Sequence, residues 1–188
     1  MLVERVLSGD TNAFSIIIAN TERLVIQIIF KMIPYGEDRR DIAQDVFMKA
    51  FQSLKNFRFQ SKLSTWIGKI AYNTCLNYLE KKKFVLLDDR NESSREELEI
   101  LNARNNFLNS ETENDIFARE LSEILKIKID QLSPLFKTLI TLYHNEELSY
   151  AEIAQITELP EGTVKSYLFR ARKILKDSVL RTYKSSTS

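Results

Sequence analysis

The chain has 188 residues, a formal net charge of +1 and a hydrophobic share of 44%. That length suffices for two small domains, and such balanced totals carry no sign of nucleic acid or of any other charged partner. The single Cys75 excludes an internal disulfide framework, and no basic-then-apolar leader opens the chain.

Only four glycines and three prolines punctuate the sequence, and its apolar residues recur at three and four rather than at two, so the expected fold class is all-α. Asp10, Thr11 and Asn12 open a helix containing Phe14, Ile17 and Ile18, and a second apolar stretch runs through Leu24, Val25, Ile28, Ile29 and Met32. Pro34, Tyr35 and Gly36 end it. No apolar run is expected to reach the length that spans a bilayer, which together with the missing leader predicts a cytoplasmic protein. A third helix from about Glu37 sets Ile42, Val46, Phe47, Ala50, Phe51 and Leu54 on one stripe. Its opposite face shows Asp41, Gln44, Asp45, Met48, Lys49 and Gln52; such a face is ordinarily solvated, and Met48 among polar neighbours is a hint of a protein contact.

Residues 57–83 interleave lysines with aromatics. A polar loop carrying Arg58, Phe59, Gln60, Ser61 and Lys62 leads into a helix whose expected core stripe is Leu63, Trp66, Ile67, Ile70, Thr74 and Tyr78. Flat bases stack on aromatic rings for about 1–3 kcal/mol each while lysines follow the phosphates, so the run suits single-stranded nucleic acid. The competing reading stays open: Trp66 and Tyr78 in the core, with the terminal lysines complementing the helix dipole. Cys75 is expected to be a small buried side chain.

Cut into segments, the chain is strongly polarised. Residues 52–84 carry Lys55, Arg58, Lys62, Lys69, Lys81, Lys82 and Lys83 against Glu80, whereas residues 85–118 are dominated by acids and rich in Asn and Ser. That acidic stretch has too few large apolar residues to offset its ordering entropy, and it reads as a mobile linker. The expected organisation is a first domain over 1–84, a linker over 85–117, a second domain over 118–184 and a tail over 185–188.

The second domain ends in a helix-turn-helix pattern. Ser149 and Glu152 form an S-x-x-E capping box before a short helix with Ala151, Ile153 and Ala154, and Thr157, Glu158, Leu159 and Pro160 make the turn. The next helix opens near Gly162 and Thr163 and buries Val164, Leu168, Ala171 and Leu175. Its other face carries Lys165, Ser166, Phe169, Arg170, Arg172 and Lys173, a basic surface suited to the major groove. His144, the only histidine, sits at a predicted helix end and is expected to cap or face solvent. No constellation suggests a catalyst, a metal or a cofactor.

These segments together resemble the sigma-70-type transcription initiation factors of the extracytoplasmic-function group, which have only sigma regions 2 and 4. Ser8, Gly9, Asp10, Ala13 and Phe14 are similar to the family's opening; DIAQDVFMKAFQSLKNF resembles its polymerase-binding segment, KLSTWIGKIAYNTCLNYLEKKK its promoter-melting segment, and residues 129–175 its region 4. The resemblance implies a non-enzymatic factor that binds core RNA polymerase at the clamp helices and flap of the two large subunits. Asp41, Gln44, Asp45, Met48 and Gln52 would grip the clamp. Phe59, Gln60, Ser61, Lys62, Ser64, Trp66, Lys69, Tyr72, Asn73 and Asn77 would bind the opened minus-10 strand. Lys165, Ser166, Phe169 and Arg170 would read the minus-35 duplex, with Arg172 and Lys173 nearer phosphates or the core. An anti-sigma protein is a further expected partner, and no membrane insertion is expected.

Two departures leave the promoter code open. Tyr167 stands where many members of the family have a basic residue, and the loop at Phe57, Arg58, Phe59 and Gln60 lacks the glycine often found there. Two other readings are a stand-alone helix-turn-helix regulator, which would dimerise on a palindrome, and a degenerate homologue that only titrates a partner.

Overall fold

The computed structural model describes residues 2–88 and 113–186. They form eight α-helices and one 3-10 turn, with no strand among them. The helices are α1 (Leu2–Leu7), α2 (Thr11–Met32), α3 (Asp38–Ser53), α4 (Leu63–Asp88), α5 (Glu113–Asp130), α6 (Pro134–His144), α7 (Tyr150–Thr157) and α8 (Glu161–Ser186), and the 3-10 turn Leu54–Asn56 follows α3.

The two apolar stretches of the N-terminal region are one helix. Nothing between Ile18 and Leu24 breaks it, and the Thr21 hydroxyl donates back to the Ile17 carbonyl at 2.7 Å, satisfying a polar group inside the core. The Asp10 carboxylate caps α2 by accepting from the Ala13 N–H at 3.2 Å and also receives Arg5 at 2.7 Å. α2 is long and apolar enough to cross a bilayer, with a mean hydropathy of 1.5, contrary to the expectation that no run reaches that length. Its apolar side is the centre of the protein: Ala13, Ile17, Val25, Ile28 and Ile29 are buried, while Glu22 and Arg23 are exposed at mid-helix.

α1, α3 and α4 pack around α2, burying Ile42, Val46 and Ala50 of α3 and Ile67, Ala71 and Cys75 of α4. The buried line of α4 is turned from the expected stripe. Ile67 and Thr74 are buried as expected, but Leu63, Trp66, Ile70 and Tyr78 are only partly covered, and the deepest positions include Gly68 and Ala71, whose small size lets neighbouring helices approach. Phe51 also departs from its stripe: it is 46% exposed and meets Phe14 edge-on at 4.9 Å.

α6, α7 and α8 form a second bundle, with Leu139, Leu142, Ile153, Ile156, Val164, Leu168 and Ala171 all fully buried. This bundle lies directly against the first, α6 on α2 and α7 on α4, so one apolar core runs through both. The expected linker falls mostly on residues 89–112, which lie outside the described residues. α4 continues to Asp88 and α5 begins at Glu113. Low apolar content shows that a segment lacks a core of its own, but without glycine or proline it does not mark where the flanking helices stop.

Burial of this extent sets the expected cost of truncation. Ile28→Ala should destabilise the protein by about 2–5 kcal/mol in urea unfolding, whereas Ile16→Ala, on the exposed side of the same helix, should change stability by less than about 0.5 kcal/mol.

Candidate nucleic-acid interface

Local chemistry fixes the helix-turn-helix. The Ser149 hydroxyl accepts from the Glu152 N–H at 3.2 Å and the Glu152 carboxylate accepts from the Ser149 N–H at 2.9 Å, so the capping box is complete. α7 ends at Glu158, which adopts left-handed geometry with φ 57° where glycine is usual. The Pro160 carbonyl then accepts from the N–H groups of Thr163 and Val164 at 2.8 and 3.1 Å, and α8 begins at Glu161.

α8 has two distinct sides. Val164, Leu168, Ala171 and Leu175 are buried; Lys165, Ser166, Phe169, Arg170 and Lys173 face solvent. Phe169 is 69% exposed, so a large ring stands in the middle of the basic face. Lys165 is braced by Glu161 one turn earlier at 2.8 Å. Arg172 is turned inward from the expected groove face. Its guanidinium lies 4.8 Å from the centre of the Tyr143 ring and donates to His144 Nε2 at 3.3 Å, because Tyr143 and Tyr150, stacked at 5.0 Å, offer an aromatic face on that side. His144 ends α6 as expected, and burial followed by the Arg172 charge lowers its pKa. Tyr167 packs edge-on against Phe136 at 5.7 Å, so the aromatic residue at this position serves the core.

The loop before α4 is built on aromatic contacts. Phe57 is buried, with Phe59 4.8 Å and Trp66 5.3 Å from it, so one side of Trp66 packs on Phe57 while the rest stays partly exposed. Phe59 adopts φ 56° and is half-exposed. A left-handed residue is what a glycine would supply without strain, and here phenylalanine takes its place. Gln60, Lys62 and Asn77 are exposed, Ser61, Ser64, Lys69 and Asn73 partly so. Lys49, Trp66, Lys69, Asn73 and Asn77 line an open cavity of about 350 Å³. Tyr72 does not join this surface. It is 5% exposed on the packed side of α4, where burial raises its phenol pKa, so it acts as a core residue.

The clamp-face residues fall together on α3. Asp41, Gln44, Met48 and Gln52 are exposed, Met48 by 56%, and Asp45 pairs with Lys49 at 2.7 Å. α3 is tied to α4 by a polar cluster in which the Tyr78 hydroxyl donates to Asp38 and Lys82 donates to both, at 3.2 Å to Asp38 and 2.9 Å to Tyr78. Tyr78, and then Lys82, hold the Asp38 carboxyl below its usual range.

Sequence reasoning missed the acids that meet the basic surface of α4. Lys62 lies 2.8 Å from Glu152, Lys69 lies 2.8 Å from Glu158, and Asn73 donates to Glu158 at 2.9 Å. The readable signal was Gly68, an isolated glycine inside a helical pattern, which usually marks a close approach.

The sequence pattern of Sigma-70 region 2 matches residues 17–85, and that of Sigma-70 region 4 matches residues 122–175. The chain is 35% identical over 95% of its length, and 93% of the relative's, to the "ECF RNA polymerase sigma-E factor" of Escherichia coli (strain K12). The chain belongs to the extracytoplasmic-function group of the sigma-70 family. The Haemophilus influenzae "ECF RNA polymerase sigma-E factor" is 34% identical over 95% of this sigma factor and 93% of its own length. In fold, the sigma factor is similar to RpoE from Bartonella quintana, solved with the anti-sigma factor NepR, at a TM-score of 0.69 and 20% identity over 88% of this chain and 96% of that one. It is also similar to CnrH, solved with the cytosolic domain of CnrY, at a TM-score of 0.61 and 18% identity over 95% and 94%. The protein is thus a transcription initiation sigma factor and not an enzyme, as the sequence predicted.

Two outcomes test this local chemistry. Ser149→Ala removes one half of the capping box and should lower stability by about 1 kcal/mol in chemical unfolding. Glu152 is held down to about 2, first by Lys62 and then by the Ser149 N–H and hydroxyl. The folded state therefore favours its ionised form: that stabilisation is complete above pH 4.5 and is lost as pH falls toward about 2. Thermal unfolding followed across this window should show a steeper acid limb than Glu152→Gln.

Proposed function

We propose that this sigma factor makes core RNA polymerase promoter-specific by dividing the work among three surfaces. Asp41, Gln44, Asp45, Met48 and Gln52 on α3 grip the polymerase clamp helices. The loop over residues 59–64, with Trp66, Lys69, Asn73 and Asn77 on α4, holds the non-template strand of the minus-10 element. There an extruded base is received by the protein, so that sequence reading and strand opening occur together. Lys165, Ser166, Phe169 and Arg170 on α8 read the minus-35 duplex, with Lys173 at the phosphates and Arg172 holding α8 against α6.

The observation that carries this reading is the exposed basic side of α8, with Phe169 at its centre, behind a fully capped α7. In this reading residues 1–84 act as region 2 and residues 118–184 as region 4, the region 4 bundle also meets the flap of the polymerase, and the factor works in the cytoplasm, where its polymerase is. An anti-sigma partner is supported by the two similar folds, both solved with a bound protein, one of them named as an anti-sigma factor.

Run-off transcription on fragmented DNA from the source organism, with and without the protein, tests the reading. New RNA 5′ ends sharing two spaced upstream elements are expected. Lys165→Ala with Arg170→Ala should abolish initiation that depends on the upstream element while core binding stays near that of the parent. Equal loss of both counts against the assignment to α8, tight core binding with no new starts identifies a titrating homologue, and no core binding identifies a stand-alone regulator.

A further inference from the structure

α8 opens with two side chains of opposite charge. Glu161, the first residue of the helix, and Lys165, one turn on, are both exposed, and Lys165 Nζ lies 2.8 Å from Glu161 Oε1. The ammonium also stands 5.4 Å from the centre of the Tyr150 ring, so a carboxylate and an aromatic face hold it in one place. Glu161 raises the Lys165 pKa and keeps that side chain charged. Glu161, Lys165 and Phe169 follow at four-residue spacing and form one line along the exposed side of α8, successive members about 6 Å apart. Gly162 supplies a second, independent sign. A Cβ added there would meet nothing within 4 Å, and the residue does not take the left-handed conformation that favours glycine. Neither packing nor turn geometry inside the chain asks for a glycine, whereas the close approach of an outside surface to the backbone does.

A carboxylate on a face that meets DNA is unfavourable unless a donor receives it, because the backbone presents anionic oxygens. In the major groove the donors are the amino groups of cytosine and adenine. The neighbouring cation narrows the choice. An ammonium has three donors, and with one spent on Glu161 two remain for adjacent acceptors. Guanine offers N7 and O6 side by side, and the N4 amino group of its cytosine comes next, so a G·C pair presents acceptor, acceptor, donor in that order. An A·T pair sets its amino donor between two acceptors, which splits the site that the ammonium would bridge. Cation beside anion therefore matches the edge of a G·C pair in one orientation.

We propose that Glu161 and Lys165 act as one unit that reads a single G·C base pair of the upstream promoter element, the lysine donating to guanine N7 and O6 and the glutamate accepting from the N4 amino group of the paired cytosine. Glu161 is then a specificity-determining residue as much by what it rejects as by what it binds. Cations that meet phosphates strengthen binding to any sequence, whereas an acid in the groove weakens binding to every sequence that lacks its donor. The inference rests on the assignment of α8 to the minus-35 duplex, and the experiment separates the two.

Holoenzyme assembled from the full chain and the source organism's core polymerase is tested on a promoter found by run-off transcription, with each upstream base pair replaced in turn by every other. Initiation is compared for the parent, Glu161→Gln, Lys165→Gln and Arg170→Ala, with core binding measured alongside to show that each variant is folded. The parent should lose about tenfold or more at every replacement of one G·C pair. Glu161→Gln and Lys165→Gln should both flatten the preference at that same pair and leave the other preferences as in the parent. Glu161→Gln should also admit adenine in place of the cytosine, because an amide pairs with adenine N6 and N7. If Glu161→Gln strengthens initiation equally on every sequence, the acid only repels phosphates and the inference is overturned. Preferences lost at two different pairs, or no change in Glu161→Gln while Arg170→Ala alters a preference, overturn it too and leave the assignment of α8 standing. If all three variants keep every upstream preference of the parent, α8 does not read the upstream element, and assignment and inference fall together.

Discussion

The arrangement of the whole molecule depends on the close approach of α7 to α4 at Gly68. A helix normally presents side chains that keep its neighbours 8–10 Å away from its axis. At Gly68 the side chain is absent, and Ile156 fills the space together with Leu24 from α2, so three helices from both halves of the chain meet at one residue. Everything around this point is then constrained. The ends of α7 fall on Lys62 and Lys69, α6 lies along α2, and the turn between α7 and α8 faces the first bundle while the basic side of α8 faces away.

The same residues also show how one chain separates scaffold from recognition. On α8, small and branched apolar side chains form the buried side and the charged and aromatic ones form the presented side, with Arg172 and Tyr167 assigned to the scaffold by their aromatic neighbours. On α4, Tyr72 and Cys75 are interior while Lys69, Asn73 and Asn77 line the open side. The Asp38, Tyr78 and Lys82 cluster joins this helix to α3, so the proposed polymerase-facing and strand-facing surfaces are held in one rigid frame.

Local features were the most legible. The capping box at Ser149, the buried series Val164, Leu168, Ala171 and Leu175, and the outward face of α3 around Met48 all follow from spacing within one helix, and spacing within one helix is what a sequence displays. What the sequence hid was relational. Tyr72 is buried and Arg172 is turned inward because of residues on other helices, and no periodicity within α4 or α8 records those neighbours. Segment charge showed that two basic surfaces exist, but not that one of them is met by Glu152 and Glu158, since those acids lie far away in sequence and inside a segment read for its own motif. Composition likewise reports where a core cannot form, not where a flanking helix ends.

Cys75 is the chain's only sulfhydryl, and it lies inside the first bundle with burial holding it in the thiol form. Oxidants, electrophiles and thiol-reactive metals attack the thiolate, and here neither the thiolate nor a route to it is on offer. The one thiol of this chain is therefore not poised for thiol-based redox chemistry.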